Sequence, residues 1–257
     1  MALVLVGLTA VPAAPFGALA EPQVYFPAFY ANTNKINPVG QSLGKVLASE
    51  ATMSTVGGSK AWRIAYVSSD AENRRTVVTA LIVVPEGRSP AGGRPVIAWA
   101  HGTSYCDFGL PAMEALVRKG YTIVATDYQG LGGPGDHQYG LHRTAALDAI
   151  HSIRAASNFK PAQAGNQAVL IGWSQGGGAV LMAAGLNDDL AGRDDVAPVQ
   201  LVGVVGLAPS DARAVNPGAA STAAEAGRKL AAFTRLLSGS QASLTHLSMF
   251  YWGLVAG

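Results

Sequence analysis

A chain of 257 residues, 49% apolar and only 13% charged, is long enough to bury one large continuous core and too long for a small module. Its net charge is +2, with 18 Lys and Arg scattered along the chain. That pattern excludes the polyanion binders: neither nucleic acid nor an anionic membrane surface is asked for as a partner.

The amino end, "MALVLVGLTAVPAAPFGALAEP", carries no charge until Glu21, and its first lysine is Lys35. An apolar stretch ending in Ala18-Leu19-Ala20 has the form of a secretory signal peptide with a small-residue cleavage site, so residues 1–20 are expected to direct export. Pro12 and Pro15 argue against a spanning helix. The positively charged leader that normally precedes the apolar region is missing. That leaves two readings: a true start lying upstream with export intact, or a buried amino-terminal strand or helix.

From Gln23 onward there is no internal repeat, low-complexity tract or heptad pattern. "AWRIAYVSS" and "TVVTALIVVPEG" are β-branched runs on either side of the polar turn "DAENRR", which predicts a hairpin. "RPVIAWAHG" then reads as a strand, "FGLPAMEALVRKG" as a helix stopped by Gly120, and "YTIVATDYQG" as a strand. "GLHRTAALDAIHSIRAASNF" reads as a helix with Leu147, Ile150 and Ile153 on one face. "QAVLIGWS", a further helix and "VQLVGVVGLAPS" complete the alternation. Strands this uniformly apolar have no wet face. They predict a mostly parallel sheet covered by helices on both sides, an α/β fold.

In that setting "GWSQG" has a mechanical meaning. A parallel strand that ends in Gly-x-Ser-x-Gly and runs directly into a helix is a nucleophile elbow, with Ser174 in a strained turn and its hydroxyl above the sheet. Gly172 and Gly176 are expected to be glycines because side chains two residues before and after would collide with the serine. The helix starting at Gln175 offers unpaired amides and the positive end of its dipole to an oxyanion on an acyl group attached to Ser174. A second donor is expected from the loop after "RPVIAWA", where His101-Gly102-Thr103 follows; the Thr103 amide is the better placed, the Gly102 amide the other choice. His101 itself reads as a structural residue that braces the loop.

His-Gly after one strand, "TDYQGLGGPGDHQYG" after the next and "GWSQGGGAV" after the third together resemble the secretory lipase family of the α/β-hydrolase fold. The likeness runs from about "FPAFY" to "GLAPSDA". The loop "DYQGLGGPG" is more specific to the family than the elbow alone. The resemblance implies Ser174 as nucleophile, the amides of Gln175 and Thr103 as oxyanion donors, and Asp127 and Tyr128 as scaffold at the rim of the site. It also implies a secreted or envelope-associated serine esterase or lipase acting on carboxylic esters of lipids. Neither metal nor organic cofactor is implied. An acyltransferase of the same fold would share every one of these residues, and a catalytically inert lipid-binding remnant is the third reading.

The triad order of this fold is serine, then acid, then histidine. After Ser174 the chain holds one histidine, His246, and six carboxylates, Asp188, Asp189, Asp194, Asp195, Asp211 and Glu225. The two Asp pairs read as solvated turn charges. Residues 211–257 are helical in period, with Leu230, Phe233, Leu236 and Leu237 as an apolar face, and resemble the start of the family's helical lid. The expected division is residues 1–20 as signal peptide, 21–210 as hydrolase core and 211–257 as lid. The strands that carry acid and histidine in the family would follow the lid, so this chain reads as lacking its carboxyl-terminal part and is expected to show little ester hydrolysis on its own. The rival reading makes Asp211 and His246 the acid and base. Cys106, the single cysteine, fits a disulfide partner outside the sequence or a buried free thiol.

Overall fold

In the computed structural model of the chain, the described residues are 28–103, 110, 112–192 and 196–210, with residues 222, 224, 225 and 228 beyond them. The expected signal peptide, Cys106, Asp194, Asp195, Asp211, His246 and the apolar face of the expected lid lie outside the described residues. After a short helix, α1 (Ala28–Thr33), the strands are β1 (Val46–Thr52), β2 (Ser59–Ser69), β3 (Arg75–Pro85), β4 (Arg94–Ala100), β5 (Thr122–Thr126), β6 (Ala164–Trp173) and β7 (Gln200–Leu207). The helices between them are α2 (Met113–Arg118), α3 (His142–Asn158), α4 (Gln175–Ala184) and α5 (Asn187–Ala191).

The seven strands form one sheet in the order β1-β2-β3-β5-β4-β6-β7. The predicted hairpin pairs Ser59–Ser69 with Arg75–Pro85 over its full length. Its turn is set by Asp70, whose side chain accepts from the amides of Glu72 (3.0 Å) and Arg74 (2.9 Å) while Asn73 takes a positive φ of 63°. The sheet is mixed: β5, β4, β6 and β7 are parallel, whereas β1, β2 and β3 pair antiparallel and β3 runs against β5. β1 was not legible in the sequence, because "VLASEAT" is an edge strand with neither a β-branched run nor a clean alternation. The "FGLPAMEALVRKG" helix is shorter than its pattern, being helical over Met113–Arg118.

Both faces of the central strands are covered. Along β4, Val96, Ala98 and Ala100 pack toward α3 and α4, while Ile97 and Trp99 pack with Val117 of α2 on the opposite face. Uniformly apolar strands result from this double burial. α3 departs from its one-faced pattern: besides Leu147, Ile150 and Ile153 it buries Asp148, His151, Ser152 and Arg154. Two segments cover this side: Ser68 and Ser69 of β2 face Asp148 and His151, and the chain around Gly44 lies against Arg154. A Cβ on Gly44 would overlap the Arg154 side chain, and Asn158 Nδ2 donates to the Gly44 carbonyl at 3.0 Å. The Arg154 guanidinium holds backbone carbonyls of Ala197, Asp189 and Leu190, fixing the connection from α5 to β7. Asp189, expected as a solvated charge, has a side chain only 10% exposed that faces Arg143 at 3.8 Å.

Asp148 is fully buried and accepts from Ser68 Oγ at 2.6 Å and from the Gln129 amide at 2.9 Å. Tyr66 Oη donates to its backbone carbonyl at 2.9 Å. Burial raises its pKa to about 7, opposed by the hydrogen bonds from Ser68 and Gln129. The folded pKa therefore lies above the roughly 4 of an unfolded aspartate, so the folded protein keeps a proton that the unfolded chain releases. The stability from this group is complete below about pH 4 and is lost as pH rises through 7. Thermal melts from pH 5 to 8 should show the wild-type Tm falling relative to Asp148→Asn, whose amide cannot titrate; a constant difference across that range would refute the assignment.

Candidate active site

β6 ends at Trp173 and α4 begins at Gln175, leaving Ser174 alone at the junction. Its backbone has φ 54° and ψ −114°, a conformation that costs a non-glycine residue about 1–3 kcal/mol. Two hydrogen bonds to the end of β7 hold it there. The Ser174 amide donates to the Leu207 carbonyl at 3.0 Å, and the Ser210 amide donates to the Ser174 carbonyl at 2.9 Å. The serine is half-buried, and no described residue hydrogen-bonds its hydroxyl. Gln175 is the first residue of α4, where an amide has no partner within the helix.

The glycines around Ser174 are required for a reason other than the one expected. A Cβ on Gly172 would overlap the Gly176 carbonyl, and one on Gly176 would overlap the carbonyl of Ala100 and come within 2.6 Å of that of His101. The collisions are therefore with backbone, within the turn and across to the end of β4, and not with the serine. Gly177 sits 2.8 Å from Pro209 Cα by the same measure, and Gly178 lies 2.7 Å from His142 Nε2. The run of three glycines thus lets the first turn of α4 press against the carboxyl ends of β4 and β7 and the start of α3.

Thr103 follows β4, buried, with its hydroxyl 2.6 Å from that of Tyr139. His101 Nδ1–H donates to the Gly102 carbonyl at 2.6 Å, and its own carbonyl accepts from Tyr128 Oη at 2.9 Å. Gly102 admits no side chain because the Trp173 ring occupies that space. Asp127 is partly buried and accepts from Thr79 Oγ1 at 2.6 Å; desolvation raises its pKa, opposed by that hydrogen bond. Tyr128 takes a positive φ of 65° and is buried, its pKa raised well above the ordinary value by desolvation. Both anchor the loop after β5.

That loop contains two residues to which the sequence assigned no role. Gly130 folds it back on itself, since a Cβ there would overlap the backbone of Asp136 and His137. His137 Nδ1–H donates to the Gln129 carbonyl at 2.9 Å, which leaves Nε2 to accept from Gln175 Nε2 at 3.1 Å. Burial lowers the His137 pKa and favours that neutral form. Its ring is stacked with Tyr128, centroids 6.0 Å apart, and lies 6.1 Å from the ring of Tyr139. The one available signal was the concentration of ring side chains in an otherwise glycine-rich loop.

Among the described residues no group of three or more His, Cys, Asp or Glu side chains converges, and no helix is long and apolar enough to cross a membrane. Cavities beside Arg94 and beside Trp62 lie near the amino ends of β4, β6 and β2, the first of them at the opposite end of the parallel strands from Ser174.

The strand order, the elbow and the flanking helices define an α/β-hydrolase fold. Within it, residues 101–223 match the family model of the secretory lipases, the family that the motifs resemble. Similar solved structures include a putative hydrolase from Legionella pneumophila (TM-score 0.57, 19% identity, 82% of this chain and 60% of that one). The rice cell wall degrading esterase LipA from Xanthomonas oryzae is another (0.53, 20%, 65% and 51%), as is lipase A from Candida antarctica (0.50, 16%, 71% and 46%). The chain spans about half the length of the Xanthomonas esterase. No curated protein sequence matches it.

The close approach at Gly176 is open to a direct check. Gly176→Ala must displace the backbone of β4 or α4 and should destabilise the fold by about 1–3 kcal/mol or more. Gly57 has no atom within 4 Å of where a Cβ would sit, and Gly57→Ala should be neutral or slightly stabilising. Urea denaturation of the two variants checks the contrast; equal midpoints would refute it.

Proposed function

We propose that the protein is a secreted carboxylic-ester hydrolase of the lipase and esterase class, acting on lipid esters through an acyl-enzyme on Ser174. The observation that carries this reading is the Ser174 backbone, strained at the end of a parallel strand and at the start of a helix, with a half-buried hydroxyl that no described residue hydrogen-bonds. Strain at such a position persists only where the surrounding structure enforces it, and here three glycines and the end of β7 do so.

In the proposed reaction the Ser174 hydroxyl attacks the ester carbonyl. A histidine takes the proton and passes it to the departing alcohol, and water then releases the acid from the serine. The amides of Gln175 and Thr103 receive the negative charge that develops on the carbonyl oxygen. The candidate acid and base, Asp211 and His246, remain a proposal outside the described residues, as do the signal peptide over residues 1–20 and the lid over 211–257.

A fluorophosphonate probe should label the full-length enzyme at Ser174, and Ser174→Ala in that enzyme should lose label and at least about 10³-fold of p-nitrophenyl butyrate hydrolysis. Retention of both in Ser174→Ala would overturn the reading. In the same assay His246→Ala decides the base: loss comparable to that of Ser174→Ala assigns it to His246, and unchanged turnover excludes it. Export has its own check. Protein recovered from the native host should begin at or near Glu21, and residues 1–20 retained on cytoplasmic protein would refute it.

A further inference from the structure

We propose that the loop from Asp127 to Tyr139 is a brace that sets the separation of the two candidate oxyanion donors by gripping the side chain of each, Gln175 through His137 and Thr103 through Tyr139. The proposal rests on the reading of those two amides as the donors.

The two residues come from different elements and share no hydrogen bond of their own in the described structure. Gln175 opens α4, and Thr103 lies in the irregular segment after β4. Their side chains converge on positions two residues apart in one loop. His137 Nε2 accepts from Gln175 Nε2 at 3.1 Å, and Tyr139 Oη lies 2.6 Å from Thr103 Oγ1. A third contact, from Tyr128 Oη to the His101 carbonyl at 2.9 Å, holds the same segment two residues before Thr103.

A brace must itself be stiff, and this one is anchored at its base and closed on itself. Asp148 of α3 holds the Gln129 amide, Thr79 of β3 holds the Asp127 carboxyl, and Gly133 lies against the Val77 backbone, 2.7 Å from its carbonyl by Cβ. Gly130 pinches the loop against Asp136 and His137. The His137 ring is packed between those of Tyr128 and Tyr139. Helix first turns fray and irregular segments drift, whereas oxyanion donors act only when they stand about 2.7–3.1 Å from the developing charge. Fixing both ends to one rigid loop supplies that precision. His137 and Tyr139 are accordingly positioning residues that do not touch the substrate.

The test measures p-nitrophenyl butyrate hydrolysis by the full chain and by Tyr139→Phe, Thr103→Val, His137→Leu and Ser174→Ala. Where turnover depends on Ser174, Tyr139→Phe and His137→Leu should each lower kcat about 10- to 100-fold with KM within about twofold, because the oxyanion exists only after attack. The double variant Thr103→Val/Tyr139→Phe should lose no more than the worse single variant. Full kcat in both Tyr139→Phe and His137→Leu, or losses that multiply in the double variant, would overturn the brace. Tyr139→Phe removes one hydroxyl and keeps the ring, so it guards against a folding failure in His137→Leu. Turnover that does not depend on Ser174 defeats the functional reading instead. The amide 1H–15N resonances then judge the brace: Tyr139→Phe moving Thr103 but not Gln175, with the converse for His137→Leu, upholds it, and neither amide moving overturns it.

Discussion

The structure depends on how closely the first turn of α4 approaches the end of β4. At Gly176 the two backbones are so near that no side chain fits between them, and this contact fixes the Ser174 turn, the Gln175 amide and the segment from His101 to Thr103 in one frame. The same approach continues at Gly177 and Gly178 toward β7 and α3. Three glycines, each poor for an isolated helix, are tolerated because α4 is held by tertiary contacts and not by propensity.

Backbone strain gathers at the same end of the sheet. Tyr128, Ser174 and Ala208, immediately or shortly after β5, β6 and β7, all take positive φ without being glycine. Two of them are countered locally: Tyr128 by the Thr126 hydroxyl and the His101 carbonyl, and Ser174 by hydrogen bonds to Leu207 and Ser210. The amino ends of the parallel strands are closed instead by close backbone contacts, as between Gly93 and the peptide joining Ala164 to Gly165. Strain is thus concentrated at the carboxyl ends without being confined to them: Gln163, immediately before β6, also takes a positive φ of 51°.

Much of this was legible in the sequence. β2 to β7 announced themselves as apolar runs bounded by turn residues, and Gly-x-Ser-x-Gly between a strand and a helix located the elbow. What stayed hidden depends on which segments meet. Asp148, His151 and Arg154 are spaced as an ordinary polar helix face, and they are covered only because β2 meets Asp148 and His151 and the chain at Gly44 meets Arg154. His137 and Tyr139 look like loop residues until Gln175 and Thr103, distant in sequence, are brought opposite them. β1 has the exposure of an edge and so lacked the alternation that betrays a strand. The glycine requirement was read correctly in kind and misplaced in partner, because a pattern names the crowded residue without naming its neighbour.

The pinch at Gly130 also makes the loop after β5 a segment of fixed length. Its two limbs meet at Gly130 and His137, and the residues between them are laid along β3 through Gly132 and Gly133. An inserted residue there would rotate His137 out of register with Gln175, whereas the hairpin turn at residues 70–74 closes on its own side chains and can lengthen without reaching the site. Among natural or designed variants of this chain, length changes should therefore be sparse between Gly130 and His137 and common at the hairpin, a metrical signature that survives even where residue identities diverge.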